Sequence, residues 1–271
     1  MKHLSIQGTR VPALGFGTWD LRGDECIEGI EHALSLGYRH IDTAQSYDNE
    51  GEVGKGMARS GVARNDIFLT TKVRPRNFRR DDVLSSTHES LKKLGTDYVD
   101  LMLMHWPNPD IPLEETLSAL LELQKEGAIR HIGVSNFPPS MVAEAQQSAT
   151  IFCDQVEYHP YLAQPKLITQ AEELEYMLTA YCPIAQGRVT DDPILKAIGE
   201  RNGKSAVQVT LRWFMQHDNV SAIPKSASAK NRQNNFDIFD FELSGEEMQA
   251  IHDLNEEKRL VDPDDGPAWE R

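Results

Sequence analysis

The stretch GYRHIDTA, residues 37–44, contains a short apolar strand pattern that ends in an acid, Asp42. A second run of the same kind, LTTK at residues 69–72, ends in Lys72. Between such runs lie longer segments whose apolar residues recur at helical spacing. Strands that alternate with helices indicate a parallel sheet with helical crossovers, because parallel neighbours need a long return connection.

Short runs rich in β-branched and aromatic residues are predicted as strands along the whole chain. Eight of them, each followed by a helical segment, suit a (β/α)8 TIM barrel in a chain of 271 residues. The predicted strands are Leu14–Gly17, Tyr38–Asp42, Ile67–Lys72, Tyr98–His105, Ile129–Ser135, Phe152–Val156, Met177–Tyr181 and Val220–Pro224.

Two further elements flank the predicted α/β barrel. His3–Ile6 and Val11–Ala13 predict an N-terminal β-hairpin that closes the barrel bottom. Ser244–Asn255 predicts an extra C-terminal helix, in which Ser244 is the N-cap and Glu247 completes a capping box.

The main alternative fold is a doubly wound dinucleotide-binding sheet, which needs a GxGxxG turn between its first strand and helix. The nearest match begins at Gly54, lacks the third glycine and sits in a helical stretch. Since no Pro/Gly/Ser-rich linker divides the chain either, we expect one barrel domain over residues 1–271.

Composition limits the partners of this chain. A formal charge of −14 repels polyphosphates, so we expect no nucleic-acid partner, and any anionic cofactor needs a local cationic patch. No apolar run approaches the ~20 residues of a membrane helix, and the start lacks a secretory signal, so we expect a cytoplasmic protein without a membrane partner. The three cysteines lack metal-ligand spacing, and we expect no metal site.

Polar residues follow the predicted strands at the end where barrel chemistry gathers. Any one of them has an ordinary explanation as a helix cap, a solvated charge or a core hydrogen bond. Together, on successive strands, they predict an active site. These residues are Asp42, Tyr47, Lys72, His105, Ser135, Asn136, Gln155, Tyr181, Lys225 and Ser226.

The residue types favour proton donation to a carbonyl oxygen. A phenol has a pKa of about 10, so it donates poorly unless its anion is stabilised. An ammonium about 4 Å away is worth up to ~4 kcal/mol, so we expect Lys72 to bring the pKa of Tyr47 near neutrality. Asp42 would orient Lys72, and His105 would donate a hydrogen bond to the developing oxyanion.

These residues stand in motifs that resemble the aldo-keto reductase family over nearly the whole chain. The resemblance implies a catalytic tetrad of Asp42, Tyr47, Lys72 and His105, with Tyr47 as general acid. The matching motifs are GFGTW at 15–19, GYRHIDTA at 37–44, YDNE at 47–50, LTTK at 69–72, YVDL at 98–101, HWP at 105–107, IGVSNF at 132–137, EYHP at 157–160 and IPKS at 223–226.

The resemblance also implies an NADPH (NADP+) cofactor extended across the barrel mouth. Residues 135, 136 and 155 would hold its carboxamide, Tyr181 would stack on the nicotinamide, and the loop after the seventh strand would bind the pyrophosphate. Lys225 and Ser226 match positions that bind the 2′-phosphate. The implied cofactor residues are Thr18, Trp19, Asp42, Ser135, Asn136, Gln155, Tyr181, Cys182, Pro183, Ile184, Gln186, Lys225, Ser226, Asn231 and Asn235.

One departure from the family pattern concerns the 2′-phosphate. Many relatives carry an arginine six positions after the lysine, stacked on adenine, but here Asn231 occupies that position, and Asn235 matches a later family asparagine. A looser or reorganised phosphate clamp is expected. The same asparagine and the C-terminal tail resemble the bacterial 2,5-diketo-D-gluconate reductase B and methylglyoxal reductase subgroup, whose members reduce 2-oxo compounds.

The predicted substrate pocket is walled by Trp19, Tyr47, His105, Trp106 and Phe137. A short connection after His105 leaves one side open, which suits small, polar carbonyl substrates, and family relatives are often monomers. Two other functions are compatible with a barrel of this length. One is a regulatory barrel that binds the nicotinamide cofactor with little turnover; the other is a barrel glycosidase, which needs paired carboxylates that the first strand ends do not supply.

Overall fold

The sheet of the protein is a closed ring of parallel strands. The computed structural model describes residues 1–264 and 266–269, and its eight-stranded sheet runs in sequence order from β3 to β10. These strands are β3 (Phe16–Gly17), β4 (His40–Asp42), β5 (Phe68–Val73), β6 (Val99–Met104), β7 (Ile129–Ser135), β8 (Ile151–Glu157), β9 (Met177–Tyr181) and β10 (Val220–Ala222).

The ring closes where the first and last strands meet. Leu14 forms a parallel bridge with Ala222, and the backbone N–H of Gly15 donates to the carbonyl of Ala222 at 2.9 Å. The predicted (β/α)8 barrel is therefore confirmed. The first strand is shorter than predicted, because only its last residues pair with β4 while Leu14 and Gly15 bond to the other side.

Helices cover the outside of the ring and bury one face each. In α3, the buried positions Val83, Thr87, Leu91 and Leu94 recur at helical spacing. The helices are α1 (Gly23–Leu36), α2 (Glu50–Ser60), α3 (Arg80–Leu94), α4 (Leu113–Glu126), α5 (Pro139–Ala145), α6 (Pro165–Glu173), α7 (Pro193–Asn202), α8 (Ala206–Met215), α9 (Ala229–Phe236) and α10 (Gly245–His252).

The predicted additions to the barrel are present. Strands β1 (His3–Ile6) and β2 (Thr9–Pro12) form the antiparallel N-terminal hairpin. At the other end, the N-cap Ser244 and Glu247 form the predicted capping box of α10. Helix α2 contains Gly54, whose position inside a helix agrees with the rejection of a dinucleotide-binding glycine turn.

The strands are apolar on both faces, because one face packs in the barrel interior and the other against the helices. All six residues of β6 are buried, and so are all seven of β8. Polar residues inside these strands therefore need buried partners. Within the described ranges, no helix is both long and apolar enough to cross a membrane.

Gly133 lies where neighbouring strands of the sheet approach each other most closely. We predict that no side chain is tolerated at this position. A Cβ on Gly133 would lie 2.5 Å from Cδ2 of Leu103 and 2.6 Å from the carbonyl oxygen of Cys153. We expect Gly133→Ala to lower the free energy of unfolding by about 1–3 kcal/mol, because the strands must separate. Urea denaturation measures this change.

The control is Gly51→Ala in α2, where a Cβ meets no atom within 4 Å. There the expected change is a gain of about 0.5–1 kcal/mol, since alanine restricts the unfolded chain and favours helix. Equal stability of the two variants would contradict the close-packing argument.

Candidate active site

A cavity of about 690 Å³ opens at the carboxyl ends of the barrel strands. Most of the residues predicted for cofactor and substrate lie on its wall. Those that line it are Thr18, Trp19, Asp42, Tyr47, His105, Trp106, Ser135, Asn136, Gln155, Tyr181, Cys182, Pro183, Ile184, Gln186 and Lys225. The parallel strands bring together residues that are up to about two hundred positions apart in sequence because all their carboxyl ends meet at one rim.

Beneath the cavity floor lies a buried ion pair. Nζ of Lys72 on β5 lies 2.5 Å from Oδ1 of Asp42 on β4, and the two side chains are 1% and 2% exposed. Lys72 also donates to the carbonyl of Thr43 at 2.9 Å, and Gln155 donates to Oδ2 of Asp42 at 2.7 Å. Gln155 comes from β8 on the opposite side of the ring, so the ion pair ties three strands together.

The hydroxyl of Tyr47 is the next group in this series of hydrogen bonds. Nζ of Lys72 donates to Oη of Tyr47 at 3.4 Å, which is longer than its contact with Asp42. Burial lowers the pKa of Lys72, but Asp42 and Tyr47 together more than reverse this, so the pKa of Lys72 lies above its ordinary value. The ammonium is therefore charged at neutral pH.

The expected fall of the Tyr47 pKa toward neutrality does not occur in this structure. Burial raises the pKa of the phenol, the pull of Lys72 offsets this only in part, and Asp42 raises it further. The main physical reason is that burial disfavours the phenolate, and the Asp42 carboxylate in addition opposes the pull of the ammonium. Tyr47 consequently holds its proton at neutral pH.

His105 faces the ring of Tyr47, with centroids 5.6 Å apart and an angle of 74° between the planes. Burial, with the nearby charges of Lys72 and Arg74, lowers the pKa of His105 to about 3. The imidazole is thus neutral at pH 7 and carries one N–H that can donate a hydrogen bond.

The turn that carries Tyr47 is held from both sides. Tyr47 ends a short 3-10 turn that begins at Gln45. On one side, Asn49 is fully buried and donates to the carbonyls of Thr18 and Leu21, at 2.8 and 3.1 Å. On the other, Arg74 donates to the carbonyl of Gln45. The sequence motif contained Asn49, but only the fold shows that it ties this turn to the loop after β3.

Four polar residues interlock along the opposite wall. The amide of Asn136 donates to Oγ of Ser135 at 3.0 Å and accepts from the hydroxyl of Tyr181 at 2.7 Å. Oγ of Ser135 in turn donates to the carbonyl of Gln155 at 2.7 Å. Asn136 has a φ of 63°, a left-handed conformation that asparagine adopts more readily than most residues. These bonds fix the ring of Tyr181 at the cavity wall.

Some predicted residues lie elsewhere. Phe137 is 0% exposed and packs in the hydrophobic core, so its predicted place on the substrate wall is wrong. It follows Asn136, whose left-handed backbone turns the chain away from the rim. Ser226, Asn231 and Asn235 do not line the cavity; they lie on the loop after β10 and on α9.

The C-terminal segment supplies a wall residue that the sequence did not reveal. Val261 lines the cavity, and its position is set by the buried carboxylate of Glu157. That carboxylate accepts from the backbone N–H groups of Leu260 and Val261, at 2.7 and 2.9 Å. A carboxylate only accepts, so Nε2 of His159 donates to it at 3.0 Å. A motif in β8 thus holds a segment about one hundred residues later.

The loop after β9 lines the cavity, and several of its residues have a left-handed backbone conformation. Cys182, Ala185 and Gln186 have φ values of 49°, 46° and 53°, and Gly187 continues the curve with 95°. At the far end of the cavity stands Lys225. Among the lining residues in the described part of the chain, it is the only lysine or arginine. In a protein of charge −14, Lys225 thus supplies a local positive charge on the cavity wall.

The buried ion pair allows a stability test. We expect Lys72→Met to lower the free energy of unfolding by about 3–5 kcal/mol, because the buried Asp42 carboxylate loses its cation. Urea denaturation at pH 7 measures the loss. Adding Asp42→Asn should restore part of it, since the uncompensated charge is then gone. A single variant less than about 1 kcal/mol below the parent protein would contradict this account.

Comparison with known proteins identifies relatives that align with nearly the whole length of this chain. Residues 13–256 match the model of the Aldo/keto reductase family. Methylglyoxal reductase DkgB of Salmonella typhi is 40% identical over 266 residues, which cover 96% of this chain and 99% of that protein. Glyoxal reductase of Bacillus subtilis is 41% identical over 256 residues, covering 93% and 92%.

Solved structures agree with these relatives. The crystal structure of a candidate 2,5-diketo-D-gluconic acid reductase B is 46% identical, with a TM-score of 0.98 over 100% of this chain and 98% of that one. A Bombyx mori aldo-keto reductase in complex with NADP is 33% identical, with a TM-score of 0.90 over 98% and 97%. The chain is therefore an oxidoreductase that belongs to the aldo/keto reductase family.

Proposed function

We propose that this protein reduces small aldehydes and ketones, in particular 2-oxo compounds such as methylglyoxal or 2,5-diketo-D-gluconate, to alcohols with NADPH. The observation that supports this most directly is the position of the Tyr47 hydroxyl, which lies at the cavity 3.4 Å from Nζ of Lys72 with the ring of His105 beside it. This is the arrangement needed to deliver a proton to a carbonyl oxygen.

The proposed roles follow from the chemistry of each group. The substrate oxygen accepts hydrogen bonds from Oη of Tyr47 and the N–H of His105, which polarise the carbonyl. Bound NADPH supplies a hydride to the carbonyl carbon. As negative charge develops on the oxygen, the proton of Tyr47 transfers to it, so that carbon gains hydride and oxygen gains a proton. Lys72 stabilises the phenolate left behind, and Asp42 holds Lys72 in place.

The residues on the wall fit a nicotinamide cofactor. The aromatic ring of Tyr181 offers a stacking face, and the amides of Asn136 and Gln155 together with Ser135 offer donors and acceptors for a carboxamide. The left-handed loop from Cys182 and the cationic Lys225 suit phosphates. These residues would hold the cofactor in the cavity that Tyr47 also lines, and the nicotinamide would supply the hydride there.

The pocket and the relatives support a small substrate. Trp19 stands 59% exposed at the mouth, and Trp106 also lines the cavity. Relatives of about 40% identity are named methylglyoxal reductase and glyoxal reductase, whose substrates are short dicarbonyls.

The proton donor is tested with Tyr47→Phe. We expect kcat for methylglyoxal reduction to fall by about 10²–10⁴-fold, because Tyr47 carries the only hydroxyl among the described residues that bonds to Nζ of Lys72. NADPH oxidation followed by absorbance measures it. The control is Tyr98→Phe, which removes a hydroxyl from a ring held between Arg64 and Arg130, outside the cavity.

A Tyr47→Phe enzyme with parental turnover would refute the proton-donor role. Tight NADPH binding by the parent protein without oxidation by any small carbonyl would instead favour the regulatory-barrel alternative.

The cofactor preference is tested with Lys225→Ala. Removing the positive charge of Lys225 from the cavity wall should raise the Kd for NADPH about tenfold and leave the Kd for NADH within about twofold, since only NADPH carries a 2′-phosphate. Titration of protein fluorescence gives both constants. Lys230→Ala, an exposed lysine on α9 outside the cavity, is the matched control. Equal weakening of both cofactors would show that Lys225 does not recognise the phosphate.

A further inference from the structure

Arg232 is a buried arginine beneath the loop that carries Lys225. It lies in α9 and is 5% exposed. Its Nη1 donates to the carbonyls of Ser226 and Ala227, at 3.0 and 2.7 Å, and its Nε donates to Nδ1 of His32 at 3.2 Å. One guanidinium thus holds two consecutive carbonyls of the loop toward the protein interior.

The charge of this guanidinium is not neutralised by an ion pair. Its partners are two carbonyls and a histidine nitrogen that must be unprotonated to accept, and no carboxylate of residues 1–264 or 266–269 contacts it. Glu25 and Glu28 of α1 act on it only from a distance. Burial lowers the pKa of Arg232, but an arginine side chain keeps its charge at neutral pH. A positive charge therefore remains under the loop.

The loop itself is fixed by further bonds. The N–H of Ser228 donates to Oγ of Ser226 at 3.2 Å, and Oγ of Ser228 accepts from the N–H of Asn231 at 3.3 Å, which caps α9. The helix is anchored to the barrel in turn, because the hydroxyl of Tyr38 donates to the carbonyl of Arg232 at 3.1 Å. Hydrogen bonds within the loop and to the barrel thus hold the segment between Lys225 and α9 in one conformation.

We propose that Arg232 is a positioning residue for recognition of the 2′-phosphate of NADPH. It holds the carbonyls of Ser226 and Ala227 inward, keeps Lys225 and the hydroxyl of Ser226 in one arrangement, and adds its own unpaired charge beneath them. Pre-ordering a loop lowers the entropy cost of binding, and an added positive charge favours a dianion. The inference rests on the proposed use of NADPH and assigns no contact between Arg232 and the cofactor.

The experiment compares Arg232→Met, Arg232→Lys and the control Arg212→Met. Arg212 lies in the neighbouring α8 with a side chain only 11% exposed, and its bonds go to Glu242, Gln216 and the carbonyl of Ile238 rather than to residues 225–228. The Kd values for NADPH and NADH are measured by fluorescence titration of each full-length variant, after circular dichroism has shown that it is folded. The quantity compared is the ratio of the NADH Kd to the NADPH Kd.

We expect Arg232→Met to reduce this ratio about tenfold, almost entirely through weaker NADPH binding, because one charge near a phosphate dianion is lost. Arg232→Lys should fall between Met and the parent, since it keeps the charge but has no fork to hold both carbonyls. Arg212→Met should leave the ratio unchanged. If the methionine variant does not fold, the lysine variant decides on the same criterion.

An unchanged ratio in a folded Arg232 variant, an equal loss for both cofactors, or the same fall in Arg212→Met would overturn the inference. Suppose that the parent protein prefers NADPH and that Lys225→Ala abolishes this preference while the Arg232 variants keep it. The proposed function would then stand, but the role of Arg232 would be refuted. A parent protein with no preference for NADPH would remove the proposed cofactor specificity, and the inference would fall with it.

Discussion

The buried ion pair between Lys72 and Asp42 is the interaction on which the rest of the site depends. Two charges that are almost completely removed from water are stable only when their remaining hydrogen-bonding capacity is met. Here the carbonyl of Thr43 and the amide of Gln155 meet it. Because these partners come from different strands, the pair also fixes the relative positions of the strand ends at the cavity floor.

Burial and the same pair together explain the state of Tyr47. Burial is the main cause that raises the pKa of the phenol, and an ammonium bound to a carboxylate offsets it only in part. The phenol therefore keeps its proton, while the lysine stays in reach of the oxygen that would carry charge after proton transfer. His105 is kept neutral by burial, so the site carries both hydrogen-bond donors without adding a second cation beside Lys72.

Polar residues behind the walls have a common function in this barrel. Asn49 ties the turn of Tyr47 to the loop after β3, and Glu157 holds the segment that contains Val261. Arg232 does the same for the loop that begins at Lys225. In each case a buried side chain bonds to backbone groups of a loop, so that the residues exposed to the cavity are ordered before any ligand binds.

The sequence by itself determined the barrel, the hairpin, the capped final helix and the identity of the residues at the rim, because each depends on a local pattern: strand and helix periodicity, capping residues, and polar side chains at strand ends. It did not determine how neighbouring residues change the burial, protonation or position of those side chains. The burial of Phe137, the proton retained by Tyr47, the hold of Glu157 on Val261 and the unpaired charge of Arg232 arise from contacts between segments far apart in the chain. Such contacts, and the low dielectric that strengthens them, exist only once the barrel has closed, so only the tertiary structure decided them.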